Sequence, residues 1–234
     1  MIKKAMLLAA GFGKRILPLT LKQPKPLLRI GNETLLSNTL KFLELYGVEE
    51  VVINVHYLKK KIIDYIKKGK FKLDIKIIQE KNKILDTGGG VLNGIKYFSD
   101  EPFIIINPDT IWNSSYIDEL RIMEKTFFKK KNKCLLLVVD KKKSLDTSFK
   151  GDFNIKNKLL NRKKKDSLSY VYTGLQIISP KVFKGVKKKV FSINSIWDKL
   201  ILKNQLNGQK SKINFVHIST LNIYKNLLKN KFNS

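Results

Sequence analysis

Met6-Leu7-Leu8-Ala9-Ala10-Gly11-Phe12-Gly13-Lys14-Arg15, followed by Pro18, Thr20 and Pro24-Lys25-Pro26, is the stretch that decides the reading of this chain. A short apolar run, of the kind buried on both faces of a sheet, empties directly into a loop with two glycines. Glycine lets the backbone turn tightly enough for successive amide N–H groups to aim at phosphate oxygens, and Arg15 and Lys25 add the charge that a triphosphate needs. Neither common phosphate motif fits. Gly13-Lys14 is followed by Arg where a Walker loop has Ser or Thr, and Ile16 stands where the dinucleotide fingerprint has its third glycine. The prolines make this a long ordered loop that does not pass at once into a helix.

Working outward, apolar runs at Ala5–Ala9, Val51–Val55, Ile75–Gln79, Phe103–Asn107 and Leu135–Asp140 alternate with amphipathic stretches at Thr34–Tyr46, Tyr57–Lys68 and Ser115–Lys131. A shorter helical stretch follows Gly88-Gly89-Gly90. Strict alternation of this sort builds βαβ units, so the expected fold is α/β: a Rossmann-like, mostly parallel sheet with helices on both faces. After Asp140 a polar, Lys-rich stretch to Lys165 reads as an insertion lying over the sheet. A strand at Tyr170–Ser179, a helix at Ser195–Asn207, a strand at Ile213–His217 and a helix from Thr220 complete the expectation. No Pro-, Gly- or Ser-rich linker interrupts the chain, so 1–234 reads as one domain, with 1–140 as its core and 141–234 as an insertion and closing elements.

The chain has 234 residues, 43% of them hydrophobic, which is enough for a sizeable core and excludes disordered and fibrous classes. Its formal net charge of +28 first suggests nucleic acid or an anionic membrane. Nearly all of the excess is lysine, however, with arginine only at 15, 29, 121 and 162. Lysines mixed with Asn and Ile along every solvated face look like a compositional background, so no nucleic-acid partner is expected. The single cysteine, Cys134, lies in an apolar run and rules out an internal disulfide. The apolar N-terminal stretch is too short for a signal or a span, so a cytoplasmic chain without a membrane segment is expected.

Two further constellations carry chemistry. Leu85-Asp86-Thr87-Gly88-Gly89-Gly90 stands at a helix start, where glycines permit close approach of a ligand ring and expose N–H donors. Ile106-Asn107-Pro108-Asp109-Thr110 delivers a carboxylate at the carboxyl end of a strand, opposite the phosphate loop. That placement suits Mg²⁺, which binds through a few carboxylate oxygens plus substrate phosphates.

Ala-Ala-Gly-x-Gly-x-Arg, with Pro-Lys-Pro centred ten positions beyond the Arg, resembles the sugar-1-phosphate nucleotidylyltransferases. The resemblance implies that Ala10, Gly11, Gly13, Lys14, Arg15 and Lys25 wrap the triphosphate. It places Gln79, Thr87 and Gly88 at the nucleobase and ribose, and makes Asp109 the Mg²⁺ ligand, with Arg15, Lys25 and Asp109 as the catalytic set. Leu-Asp-Thr-Gly-Gly-Gly is similar to the uridylyl-transferring subgroup whose sugar is N-acetylmuramate 1-phosphate, an activity of peptidoglycan recycling. UTP and that sugar phosphate are therefore the implied partners. Gly151-Asp152-Phe153 and Tyr172-Thr173-Gly174 match segments that line the sugar side, giving Asp152, Gly151, Thr173, Gly174 and the strand-end Asp140 as sugar candidates. One departure stands out: where the subgroup has Trp-x-Asp-Val-Gly-Thr, this chain has Phe215-Val216-His217-Ile218-Ser219-Thr220. His217 replaces the second metal carboxylate with a softer, neutral ligand better matched to Mn or Zn. A weakened, nucleotide-binding or regulatory relative is the alternative that this departure raises.

Overall fold

The computed structural model describes residues 1–162 and 167–232. Its strands are β1 Lys4–Leu8, β2 Arg29–Ile30, β3 Glu33–Thr34, β4 Glu50–Val55, β5 Asp74–Gln79, β6 Phe103–Ile106, β7 Cys134–Asp140, β8 Asn154–Lys156, β9 Leu159–Asn161, β10 Tyr170–Ile178 and β11 Leu206–Ser211. Its helices are α1 Leu19–Lys22, α2 Leu35–Tyr46, α3 Lys59–Lys68, α4 Asp86–Gly94, α5 Ser115–Lys129, α6 Asn194–Leu202 and α7 Leu221–Phe232. Nine strands form one sheet in the order β5-β4-β1-β6-β10-β7-β11-β9-β8, and β2 and β3 pair separately. The run β5-β4-β1-β6 is parallel throughout, β10 is antiparallel to both β6 and β7, and β11 returns parallel to β7.

Period-2 alternation explains the two-sided core. Ala5 and Leu7 of β1 face one side of the sheet with Val51, Ile53, Ile104 and Ile106, against Leu36, Leu40 and Leu43 of α2 and Leu120 and Met123 of α5. Met6 faces the other side with Val52 and Ile105, against Val91 of α4 and Trp197 of α6. Local signals set the ends of α2. Thr34 Oγ1 accepts from the Ser37 N–H at 3.0 Å while Ser37 Oγ accepts from the Thr34 N–H at 2.9 Å, a reciprocal cap, and the helix stops at left-handed Gly47.

The expected mostly parallel α/β sheet is present, with three local differences. The helix expected to reach Asn207 ends at Leu202, and β11 follows on the sheet edge. Ile213–His217 is not a ladder strand. It crosses the strand ends and makes single bridges, Phe215 to Ser144 and His217 to Thr110. Within the stretch 141–165, expected to lie over the sheet, residues 154–161 instead form the β8–β9 hairpin, which extends the sheet by pairing with β11. Residues 163–165 of that expectation lie outside the described residues.

Polar side chains fix the loop that follows β6. Asn38 of α2 grips the buried Trp112 backbone at both groups, accepting from its N–H and donating to its carbonyl, each at 2.9 Å. The indole Nε1 of Trp112 donates to the Asn107 carbonyl at 3.0 Å. Asn38→Ala leaves two buried backbone groups without partners, and the expected loss of unfolding free energy is about 1–3 kcal/mol. Urea denaturation measures it; an unchanged midpoint would contradict this role for Asn38.

Candidate active site

β1 lies between β4 and β6, and the chain leaves it first toward β4 and β5 and later toward β6. Such a reversal opens a crevice beyond the carboxyl ends of the strands, where ligands of open α/β sheets bind. A cavity of about 230 Å³ lies there. Ala9, Ala10, Gly11 and Gly13 line it from the loop after β1, Asn54 from β4, Asp86 and Thr87 from α4, and Asn107, Pro108 and Asp109 from the loop after β6. A second cavity of about 260 Å³ is lined by Gly11, Gly13, Lys14, Arg15, Lys25, Asp109 and Ser219. The two share Gly11, Gly13, Lys25 and Asp109, so the loop and the carboxylate stand at their junction.

Lys25 Nζ contacts Asp109 Oδ2 at 2.5 Å. The other carboxylate oxygen, Oδ1, is buried without a hydrogen-bond partner. His217 Nδ1 lies 3.6 Å from it, beyond hydrogen-bond reach. His217 arrives there because its bridge to Thr110, together with Ile218 N–H donating to the Asp109 carbonyl at 2.8 Å, stitches the C-terminal segment across the loop. Burial works to raise the Asp109 pKa and is overcome by positive charge, that of His217 once acid has protonated it and that of Lys25, which together hold it well below the usual carboxylate range. Burial pushes His217 below its ordinary value despite the Asp109 charge, which leaves the imidazole neutral near pH 7; its Nδ1 also lies 3.4 Å from the Thr110 hydroxyl, which donates to the Thr173 carbonyl. Lys25 is then the standing cation of the pair.

Among the described residues no three His, Cys, Asp or Glu side chains are grouped as a metal cage. The donor set nevertheless fits a divalent ion completed by phosphate oxygens, because the orphaned carboxylate oxygen Asp109 Oδ1 has the His217 imidazole 3.6 Å away. Ser219, which stands where a glycine was expected, donates to the Asp146 carboxylate. Asp146 also accepts from the Ser148 N–H and hydroxyl, and these bonds outweigh the effect of burial and keep its pKa low.

Other candidates have different surroundings from those expected. Gln79 is exposed and lines a separate cavity with Lys81, Lys83, Lys187 and Lys189, because alternation along the strand turns it outward and Glu80 inward. The glycine triplet makes room for the chain itself. A Cβ on Gly88 would meet the Phe191 ring at 2.4 Å, and one on Gly89 the Lys189 carbonyl at 2.2 Å. Thr87 lines the first cavity, but its hydroxyl accepts from the Ile193 N–H at 2.9 Å. Lys14 holds its ammonium over the Phe12 ring at 5.5 Å.

The residues matched to the sugar side already have partners within the chain. Thr173 is buried and donates to the Leu137 carbonyl, Gly174 packs against Asn107, and Gly151 packs against the Leu168 carbonyl. Asp140 accepts from the Lys142 N–H, and Asp152 accepts from the Tyr172 N–H. Sequence reasoning passed over Asn54, Glu80 and Asp146. A polar residue inside the apolar run Val51-Val52-Ile53-Asn54-Val55 was the available signal for the first.

Fold, loop and carboxylate together define a nucleotidyltransferase. Residues 4–150 match the family model described as Nucleotidyl transferase, and the chain belongs to that family. It is an enzyme of the sugar-1-phosphate nucleotidyltransferase class with the nucleotide-diphospho-sugar transferase fold. It is 26% identical over 221 residues to N-acetylmuramate alpha-1-phosphate uridylyltransferase of Caulobacter vibrioides, across 92% of this chain and 91% of that one. Mannose-1-phosphate guanylyltransferase 1 of Arabidopsis thaliana is 35% identical over 116 residues, 46% of this chain and 31% of that protein. The crystal structure of a UDP-glucose pyrophosphorylase complexed with UDP-glucose superposes with a TM-score of 0.79 at 17% identity, over 100% of this chain and 99% of that one. Among the described residues no helix is long and apolar enough to cross a membrane.

If the triplet serves packing, Gly88→Ala destabilises the protein with no ligand present, by about 1–3 kcal/mol as for other overpacked sites. Thermal unfolding of the ligand-free variant checks this; unchanged stability combined with weakened nucleotide binding would return Gly88 to the ligand.

Proposed function

We propose that this chain transfers a uridylyl group from UTP to N-acetylmuramate 1-phosphate and releases pyrophosphate. The observation that carries the reading is the junction of the two cavities at Lys25 and Asp109, with Asp109 Oδ1 left open beside the phosphate loop. The choice of base and sugar rests on similarity along almost the whole chain to a uridylyltransferase of that substrate. The continuous nine-stranded sheet supports treating the nucleotide and sugar sides as one unit.

In this reading an oxygen of the sugar phosphate attacks the α-phosphorus of UTP, the bond to the bridging α–β oxygen breaks, and pyrophosphate leaves. The nucleophile is already an anion, so no general base is required. The barrier is largely the approach of two anions: unit charges 4 Å apart repel by roughly 4 kcal/mol at an effective dielectric of 20. Arg15 and Lys25 offset that repulsion at the triphosphate, and the loop amides of Gly11 and Gly13 orient it. Asp109 and His217 would hold the divalent cation, Mg²⁺ or the softer Mn²⁺ that imidazole favours, which supplies Lewis-acid neutralisation of phosphate oxygens. In the ligand-free chain Lys25 rests on Asp109, which keeps the two partly buried charges paired until a phosphate takes the ammonium.

Pyrophosphate release with UTP and a panel of sugar 1-phosphates is the direct test. Release with N-acetylmuramate 1-phosphate is expected, and silence across the panel would sink the reading; UTP binding without turnover would assign the chain to a binding role. Arg15→Ala and Lys25→Ala are each expected to lower kcat/KM by about 100-fold or more. Near-normal kinetics in either would remove its phosphate role. Asp109→Asn is expected to abolish metal-dependent turnover while circular dichroism stays unchanged, and an unaltered metal titration would contradict its assignment.

A further inference from the structure

The phosphate loop and the loop that opens α4 are joined through two buried side chains. Asn54 Oδ1 accepts from the Ala9 N–H at 3.0 Å, Asn54 Nδ2 donates to Glu80 Oε1 at 2.7 Å, and Glu80 Oε2 accepts from the Leu85 N–H at 2.7 Å. Asn54 is 3% exposed and Glu80 2%. Ala9 begins the phosphate loop, Leu85 immediately precedes α4, and Asn54 itself lines the cavity between them. A Cβ on Gly90 would lie 2.6 Å from Asn54 Nδ2 and 3.0 Å from Glu80 Oε1, so the third glycine of the triplet makes room for this pair. The Glu80 backbone is pinned as well: its N–H donates to the Val55 carbonyl at 2.9 Å, and its carbonyl lies 2.7 Å from His56 Nδ1.

We propose that Asn54 and Glu80 are positioning residues that fix the separation of the phosphate and nucleobase loops, through a hydrogen-bond chain that closes only with one amide and one carboxylate. The reason is a matter of polarity. Both ends of the chain are N–H donors. An amide side chain accepts at one end and donates at the other, whereas a carboxylate accepts at both. One of each satisfies every junction. Two amides force an N–H against an N–H at some point, and two carboxylates either place two anions in contact or must take up a proton between them. With both side chains so little exposed, a lost partner leaves a buried donor or acceptor unsatisfied. Which of the two positions holds the carboxylate is immaterial to closure, and this gives the idea a specific test.

The proposal rests on the nucleotide reading above. The test compares the wild type, Glu80→Gln, Asn54→Asp and the double variant N54D/E80Q, titrated calorimetrically with UTP and Mg²⁺ and followed by amide exchange at Ala9 and Leu85. In the double variant the new carboxylate at 54 accepts from the Ala9 N–H and from the new amide at 80, whose oxygen accepts from the Leu85 N–H. Each single variant is expected to bind UTP about tenfold or more weakly and to raise the UTP KM more than it lowers kcat. The double variant is expected to recover most of that affinity and the exchange protection of both amides. Single variants that lose thermal stability yet bind UTP like the wild type would overturn the positioning role. So would a double variant no better than the singles. If a single variant does not fold, a folded, UTP-binding double variant supports the chain and an unfolded one overturns it. A wild type that fails to bind UTP would sink the nucleotide reading instead, and exchange at Ala9 and Leu85 would still decide whether the chain closes as described.

Discussion

The carboxylate of Asp109 has two oxygens in two different situations, and the site is arranged around that difference. One is held by Lys25; the other is buried, unpartnered, and faced by a neutral imidazole. A buried anion left half satisfied is unfavourable in a chain with no ligand, and such groups are retained where something else completes them. The surrounding structure serves to keep it there. Asn38 and Trp112 brace the loop from the α2 side, and the C-terminal segment laces His217 and Ile218 over it before α7 begins. Ile218 and Tyr224 then pack with Ile16, Leu28 and Leu35, fastening that segment to the phosphate-loop region.

The order of strands provides the rest. With β1 flanked by β4 and β6, three strand ends deliver a backbone loop, a buried amide and a carboxylate to one crevice. Several features that look made for ligands serve the chain itself. Gly88 and Gly89 admit the segment at 189–191, and the Thr173 hydroxyl is turned into the sheet. These contacts hold the walls of the crevice.

Much of this was legible in the sequence. The apolar runs around Met6, Val52 and Ile105 gave the parallel sheet, and the glycines, Arg15, Lys25 and Asp109 were found from residue chemistry at strand ends. Contacts between distant segments were not legible. Leu206–Ser211, with its Gly and polar residues, carries no strand pattern and is a strand because β7 offers an edge. Glu80 was hidden because its partner Asn54 is 26 positions away and nothing in the local pattern marks a pair. Which of the adjacent Gln79 and Glu80 turns inward is decided by strand register, which the edge position of β5 fixes only in three dimensions. The +28 charge, the loudest number in the composition, contributes to the site only through cations such as Lys25 and Arg15, which a loop places beside a carboxylate.

Pulsed electron–nuclear double resonance on Mn²⁺ bound to the wild-type protein with UTP tests the junction most directly, since it reports the nuclei coordinated to or beside the ion. The expected spectrum carries ³¹P couplings from the nucleotide together with a ¹⁴N coupling from His217 that disappears in His217→Asp. A spectrum identical to that of Mn²⁺ and UTP in buffer would contradict the placement of Asp109 and His217 at the centre of the site.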